Sequence, residues 1–269
     1  MPDFATPLLE STVTATLRAA GCVFAEDEAH LLISAARTPD DLAAMVERRT
    51  AGFPLEHVVG WAAFCSLRIA VDPGVFVPRR RTEFLVRRAV AHAARTGGPG
   101  TVVVDLCCGS GAVGAALAAA LPGTRLYAAD IDPAAVRCAR RNVAPFGGQV
   151  YQGDLFAPLP ADLRGRVGLL AANVPYVPTE SVGLLPPEAR DHEARVALDG
   201  GPDGLDVLRR VAAEAAGWLA PGGALLFETG QRQARTAVGI VRDGGLRPRV
   251  ATDEESYATV VTGVRPPTV

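Results

Sequence analysis

The sequence predicts an α/β protein, a doubly wound and mainly parallel sheet preceded by a small helical domain. From residue 101 onward, short apolar runs alternate with amphipathic helical stretches, the pattern of βα units. Residues 5 to about 50 show helical spacing only. The apolar runs end in Asp105, Asp130, Asp154 and Asn173 or lead directly into them. Polar residues at the carboxyl ends of strands mark the ligand crevice of an open α/β sheet.

Length and composition set the bounds. A chain of 269 residues fits one large domain, or a large one with a small appendage. An apolar fraction of 49% and a mean hydropathy of +0.19 supply a core and exclude extensive disorder. No apolar run approaches the roughly 20 residues of a membrane span. Met1-Pro2-Asp3-Phe4 is acidic and lacks a signal-peptide hydrophobic region, so a cytoplasmic location is expected. The net charge of −2 gives no global preference for nucleic acid. All 27 basic residues are Arg, a bias expected of a GC-rich coding sequence. Cys22, Cys65, Cys107, Cys108 and Cys138 show no paired metal-ligand spacing and read as buried reduced thiols, with no metal expected.

In order along the chain, Leu9, Val13 and Leu17 recur at helical spacing up to Gly21. A second helix over 26–36 carries Ala29, Leu32, Ile33 and Ala36, and a third, capped by Asp40 or Asp41, carries Leu42, Met45 and Val46. These make an N-terminal helical bundle over 1–60, too small to be very stable alone. Phe64, Leu67, Ile69 and Val71, followed by Pro73-Gly74, predict a hairpin-like linker over 61–78. The remainder, 79–269, opens with a helix from Thr82 to Ala94, ended by Thr96-Gly97-Gly98-Pro99-Gly100. Strands are then expected at 101–106, 124–129, 148–151, 167–173 and 223–228, and helices at 111–121, 133–144, 204–219 and 231–243. A final pair near 246–251 and 257–263 is expected as an antiparallel edge hairpin.

The first βα turn bears a Gly109-x-Gly111-x-x-Gly114 fingerprint with Asp130 further on, so a dinucleotide must be weighed. Asp105 argues against it, because a carboxylate at that strand end repels a pyrophosphate in a poorly solvated crevice. The same carboxylate suits the ammonium of a methionine moiety, directly or through water. At the next strand end Asp130 can take both ribose hydroxyls, and Asp132 caps the helix begun by Pro133. Asp154, after the third strand, can accept from an adenine amino group. Three acids in this order fit S-adenosyl-L-methionine better than NAD. Cys107 and Cys108 then pack as small residues beneath the cofactor.

Asn173-Val174-Pro175-Tyr176 follows the apolar run 167–172. The Asn173 side chain and the Val174 carbonyl can accept the two N–H groups of a planar nitrogen, and Tyr176 offers a stacking face. Val174 precedes a proline and is biased toward extended geometry. Such a pocket aims an amide or exocyclic amine at a methyl donor. Asn173 and Tyr176 are therefore the candidate catalytic residues, and Asn173, Val174, Pro175 and Tyr176 the substrate-binding set. An ordinary polar turn is the bland alternative for the tetrapeptide.

On these motifs the chain resembles the class I S-adenosylmethionine-dependent protein-(glutamine-N5) methyltransferases, the HemK/PrmC group. Further similarity lies in Arg49-x-x-Gly52-x-Pro54-Leu55, in Pro78-Arg79-x-x-Thr82-Glu83, in the loop from His192-Glu193 to Asp206, and in Pro221-Gly222-Gly223 and Phe227-Glu228-Thr229-Gly230-x-x-Gln233. The resemblance implies a Rossmann-like catalytic domain, a helical N-terminal domain that helps dock a protein substrate, and a glutamine acceptor in a release factor or ribosomal protein. Carried over, the cofactor side comprises Asp105, Cys107, Cys108, Gly109, Ser110, Gly111, Asp130, Ile131, Asp154 and Leu155, with Asn173 shared between both sides. Three departures stand out. The family's N-P-P-Y is N-V-P-Y here, as in a related branch. Cys107 replaces the first glycine of the cofactor turn, which must then tolerate a Cβ. Arg80 and Arg81 stand where the family tends to have Pro and Glu, and the arginine run is expected to be solvated, with a binding patch as the alternative. His192, Glu193 and Glu228 are expected to order their loops rather than touch substrate.

Other readings follow from the same residues. The Asn-x-Pro-Tyr geometry also suits a small-molecule amine or an adenine. DNA adenine would call for a target-recognition insert and a basic surface, and neither is evident, so no sequence-specific nucleic-acid binding is expected. A non-catalytic cofactor-binding module is the reading from another class, and the intact acid and Asn-Tyr set weighs against it.

Overall fold

The computed structural model describes residues 7–96, 98 and 100–267. The Met1-Pro2-Asp3-Phe4 stretch, Gly97 and Pro99 lie outside the described residues. Helices α1 (Pro7–Ala19), α2 (Ala25–Ala35), α3 (Pro39–Thr50) and the short α4 (Leu55–Val59) come first. Leu17, Leu32, Ile33, Leu42 and Val58 bury into a core of their own. The cap of α3 differs from expectation. Thr38, not Asp40 or Asp41, is the N-cap: its hydroxyl accepts the Asp41 N–H, and the Asp41 carboxylate turns back to accept the Arg37 N–H. Pro39 decides this, because its fixed φ suits the first helical position and leaves the preceding residue to cap. Helix α4 has only five residues, too few for periodicity to reveal, and it stops at Gly60 with φ +81°.

Strands β1 (Trp61–Phe64) and β2 (Leu67–Ala70) form the antiparallel hairpin. Its turn residues, Cys65 and Ser66, both have positive φ (48° and 62°), which matches the right-handed twist of the two strands. Phe64, Ile69 and Val71 join the core of the large sheet, not that of the helices.

The sheet domain runs through α5 (Glu83–Thr96), β3 (Val102–Leu106), α6 (Ala112–Ala120), β4 (Arg125–Asp130), α7 (Pro133–Val143), β5 (Gln149–Gln152) and β6 (Val167–Ala172). Then follow α8 (Pro187–His192), α9 (Asp206–Trp218), β7 (Leu219–Glu228), α10 (Ala234–Asp243), β8 (Arg247–Asp253) and β9 (Ala258–Val264). The seven strands are ordered β5-β4-β3-β6-β7-β9-β8. Strands β3 to β7 pair in parallel, while β9 is antiparallel to both β7 and β8. Every residue of β3 is buried, as expected of a central parallel strand covered by helices on both faces.

Strand β7 begins earlier than expected. Its pairing with β6 jumps from Val167–Leu219 to Leu169–Ala224, so the intervening residues bulge. A Cβ on Gly223 would lie 2.6 Å from the Val167 carbonyl oxygen, which explains a glycine at that position.

The chain builds outward from β3 through β4 to β5, then returns to place β6 on the other side of β3. That reversal makes a crevice at the carboxyl ends of β3 and β6, where Leu106 stands opposite Ala172. The stretch after β6 is not a plain loop. It contains 3₁₀ turns at Thr179–Leu184 and Arg195–Ala197 besides α8, and isolated bridges tie Val177 to Asp199 and Gly74 to Glu193. No helix among the described residues is long and apolar enough to cross a membrane.

Candidate active site

Strand β3 carries Asp105 into the interior, where it is wholly buried. Its Oδ2 accepts the Gly114 N–H at 2.8 Å, and a Cβ on Gly114 would lie only 3.0 Å from that oxygen. Asp105 Oδ1 has no hydrogen-bond partner among the described residues. Burial pushes the carboxyl up to about 8, against the pull of the Gly114 N–H, and Asp130 adds to the rise. A buried acid with one vacant acceptor is the arrangement a ligand cation completes.

Asp130 ends β4. Its Oδ2 accepts the Gly109 N–H at 2.8 Å and its Oδ1 the Asp132 N–H at 2.9 Å. The carboxylate therefore fixes the first turn from the neighbouring strand, and each oxygen keeps lone-pair capacity for a further donor. Burial raises its pKa, opposed by these N–H groups. Asp132 caps α7 by accepting the Ala134 N–H. In the turn itself Cys107 has φ +53° and Gly109 φ +53°. Burial, with Asp130 next in weight, holds the Cys107 thiol well above the usual range, so it stays protonated. Asp154 follows β5 and is half-exposed, with Arg210 of α9 donating to its Oδ2 at 2.5 Å. Leu155 is buried with φ +47°.

Strand β6 ends in Ala172, so Asn173-Val174-Pro175-Tyr176 begins at the crevice. The Asn173 Oδ1 is buried and lacks a partner among the described residues. Tyr176 donates its hydroxyl to Glu228 Oε1 at 2.8 Å and accepts from Arg81 Nη2 at 2.5 Å. Burial, with Glu228 next, pushes its phenol far up, and it remains neutral.

One cavity of about 560 Å³ joins these groups. It is lined by Asp105, Cys107, Cys108, Gly109, Ser110, Asp130, Ile131, Asp154 and Leu155, and also by Asn173, Val174, Pro175 and Tyr176. Gly111 is the exception. It does not line the cavity but starts α6 at φ +77°, where a Cβ would press on Ala139 and Val143 at 3.1 Å.

The cavity is also lined by residues outside the candidate site set: Phe64 and Phe76, Thr82, Arg210, and a strap from Leu185 to Leu198. The arginine run, expected to be solvated, is tied down at two of its three positions. Arg79 donates from Nη2 to both Glu193 oxygens (2.6 and 2.7 Å), and Arg81 donates from Nε to Glu228 Oε1 (2.7 Å). Both carboxylates are buried, and unpaired buried charge is costly, so the arginines are drawn in to neutralise them. Arg80, also exposed, makes no such pair among the described residues. Glu193 and Glu228 do not line the cavity, and His192 stacks on Phe53 with ring centroids 4.2 Å apart. The strap is also fastened through Glu188, which accepts from Arg49 Nη1 at 2.6 Å. Arg49 is buried and also donates to both oxygens of the buried Glu28. Burial alone would lower the Arg49 pKa, but Glu28 and Glu188 more than offset it and the group stays charged.

Residues 66–175 match the family model described as the methyltransferase small domain. The chain is 40% identical over 251 residues to a Mycolicibacterium smegmatis protein named release factor glutamine methyltransferase, covering 87% of this chain and 88% of that one. It is 36% identical over 225 residues to the 4-amino-L-phenylalanine/4-methylamino-L-phenylalanine methyltransferase of Streptomyces pristinaespiralis, covering 82% of this chain and 76% of that one. Among solved structures, a methyltransferase from Pyrococcus furiosus aligns with a TM-score of 0.54 over 83% of this chain and 98% of its own, at 14% identity, a likeness of fold alone.

Proposed function

The chain belongs to the family of release factor glutamine methyltransferases, and we propose that it methylates the side-chain amide nitrogen of a glutamine in a protein, a release factor or a ribosomal protein. The observation that carries this reading is the buried, unpartnered Asn173 Oδ1 on the wall of the cavity that Asp105 also lines. A primary amide supplies the N–H that this oxygen lacks.

S-adenosyl-L-methionine supplies an electrophilic methyl group on a sulfonium. Its fit is supported by the vacant Asp105 Oδ1, which suits an ammonium, and by lone-pair capacity on both Asp130 oxygens. Asp105, Cys107, Cys108, Gly109, Ser110, Asp130, Ile131, Asp154 and Leu155 would hold it. Gly111 would shape the turn without contact.

On the acceptor side, Asn173 Oδ1 and the Val174 carbonyl would each accept one N–H of the glutamine amide, fixing the nitrogen so that its face points along the transfer line. Positioning is the main contribution, because an amide nitrogen is a weak nucleophile. The two acceptors also favour positive charge as it grows on nitrogen. The proton becomes acidic only as the new bond forms and departs to water, so no strong side-chain base is required of this chain. Tyr176 would pack on the planar amide. In this reading residues 1–60 help dock the protein substrate, 61–78 link, and 79–269 carry transfer.

The test is Asn173→Ala, assayed with S-adenosylmethionine and the organism's own release factors and ribosomal proteins by peptide mass spectrometry. We expect one added methyl on a glutamine with the wild type. The variant should show a loss of about 10²-fold or more while donor affinity stays within about twofold. Unchanged transfer overturns the assignment. The Streptomyces relative, named for an arylamine amino acid, favours a second reading in which the acceptor is a small aromatic amine. Including 4-amino-L-phenylalanine in the same assay decides between them.

A further inference from the structure

Arg81 sits in the 3₁₀ turn Arg80–Thr82 that leads into α5. Its Nε donates to Glu228 Oε1 at 2.7 Å and its Nη2 to the Tyr176 hydroxyl at 2.5 Å. Tyr176 in turn donates to the same Glu228 oxygen at 2.8 Å, so guanidinium, carboxylate and phenol close a ring. Thr82 Oγ1 donates to the other Glu228 oxygen at 2.6 Å. The Glu228 side chain is 3% exposed and that of Arg81 47%, so a buried anion at the end of β7 is neutralised from the cavity side. Arg81, Thr82 and Tyr176 line the cavity and Glu228 does not. The directions are fixed: the phenol has one hydrogen, Glu228 takes it, and Arg81 supplies the donor that the phenol oxygen accepts.

We propose that Arg81 is a positioning residue for the acceptor, acting through Tyr176, and that it sets how tightly the acceptor's planar nitrogen group is held. This rests on the assignment of Asn173 to Tyr176 as the acceptor pocket. The physical reason is that Tyr176 follows β6 in an irregular stretch, and the described contacts of its hydroxyl are Arg81 and Glu228. A buried carboxylate such as that of Glu228 is costly without a cation beside it, and Arg81 is the cation that meets it. Removing Arg81 takes away the counter-charge and one of the two anchors of the ring together. A lysine restores charge but not the fork that spans carboxylate and phenol, so it rescues incompletely.

The experiment compares the full-length wild type with Arg81→Met, Arg81→Lys, Tyr176→Phe and the Arg81→Met/Tyr176→Phe double variant. Donor affinity is measured by calorimetry with S-adenosylmethionine, and kcat and KM by methyl transfer to a recombinant release factor. Arg81→Met should raise the acceptor KM about tenfold with donor affinity within about twofold, and Arg81→Lys should fall between. In the Tyr176→Phe background the effect of Arg81→Met should shrink to about threefold or less, because both changes act through one ring. A purely structural role would give additive losses and weaken the donor as well.

A second readout needs no turnover. With ¹³C-labelled tyrosine, the Tyr176 ring resonance should shift and its flipping should quicken in Arg81→Met, while the other three tyrosines stay put. An unmoved Tyr176 resonance overturns the proposal even if transfer proves undetectable. If Asn173→Ala abolishes transfer and Arg81→Met leaves KM and kcat unchanged, the acceptor pocket stands and the role of Arg81 falls. If Asn173→Ala has no effect, the pocket assignment itself falls.

Discussion

At the end of the cavity formed by β3 and β4, the acidic groups are held by backbone N–H groups, while Asp154 after β5 is met by the Arg210 side chain. Asp105 is fixed by Gly114 nine residues away, and Asp130 by Gly109 and by Asp132. At the end formed by β6 and the strap, side chains hold one another across the whole chain. Tyr176 meets Arg81 across 95 positions, Arg79 meets Glu193 across 114, and Arg49 meets Glu188 across 139. The first end is a property of the sheet and its turns. The second is an assembly of ion pairs and hydrogen bonds that tie α3 and the turn before α5 to the strap and to the stretch after β6, and it is the part that single substitutions can loosen while the sheet survives.

The largest effect expected from this contrast lies at Arg49. Arg49→Met leaves Glu28 buried without its partner, and breaking such a pair costs about 3–5 kcal/mol. Urea unfolding should register that loss. Molecules that remain folded should bind S-adenosylmethionine normally and show a raised acceptor KM, because the strap has lost its anchor. Glu188→Gln is the sharper probe, since it keeps the Arg49–Glu28 pair and weakens only the strap. Its stability loss should be about 1 kcal/mol or less, with the same direction of change in KM. A loss of donor binding in Glu188→Gln would break the comparison, because the two ends would then not be separable.

Asp105 tests the other end. Its native pKa, near 8, lies above the ordinary carboxylate range. The native carboxyl therefore keeps a proton that the unfolded chain has already released. Between about pH 5 and 8 the unfolded state binds fewer protons, and stability falls as pH rises, by about 1.4 kcal/mol per unit from this group. Above about pH 8 the slope from Asp105 disappears. Asp105→Asn should flatten the window in chemical denaturation curves taken at successive pH values. An ammonium beside Asp105 reverses the preference, so donor binding near pH 7 should release about one proton in the wild type and none in Asp105→Asn, read by calorimetry in buffers of different ionisation enthalpy. Equal proton release in both proteins would place the ammonium elsewhere.

The same contrast explains what the sequence made legible. The βα units were readable because each strand is an apolar run bounded by Gly, Asp or Pro, and those local signals fix where Asp105, Asp130 and Asn173 stand along their strands. The bulge before Gly223 was not, since it shows only in the pairing with β6, and the need for glycine there comes from a carbonyl on that neighbouring strand. Helices α4 and α8 leave no such signal, because five- and six-residue helices carry no periodicity. The pairing within the arginine run is hidden for a related reason. Nothing near Arg79 or Arg81 in sequence reveals the buried Glu193 and Glu228 that draw them in, and a partner more than a hundred positions away leaves no local pattern. Gly111 was grouped with the cofactor turn because spacing alone cannot tell a glycine that faces a ligand from one that faces α7.

The smallest effect sharpens the backbone character of the cofactor end. Cys107 and Leu155 are both non-glycine residues at positive φ, 53° and 47°, a conformation costing about 1–2 kcal/mol for a residue with a Cβ. Cys107→Gly removes that strain and loses a small side chain, while the freer unfolded chain takes back about 0.5–1 kcal/mol. The net expectation is a gain of up to about 1 kcal/mol in thermal unfolding, with donor affinity within about twofold. Leu155→Gly removes the same strain but also a leucine buried in the core shared by β3, β6 and α9, worth about 2 kcal/mol, so it should destabilise. Opposite signs from one kind of backbone strain are the outcome to look for. If Cys107→Gly also destabilises by more than about 1 kcal/mol, its sulfur packs harder against the sheet than its turn is strained, and the cofactor end depends on side chains after all.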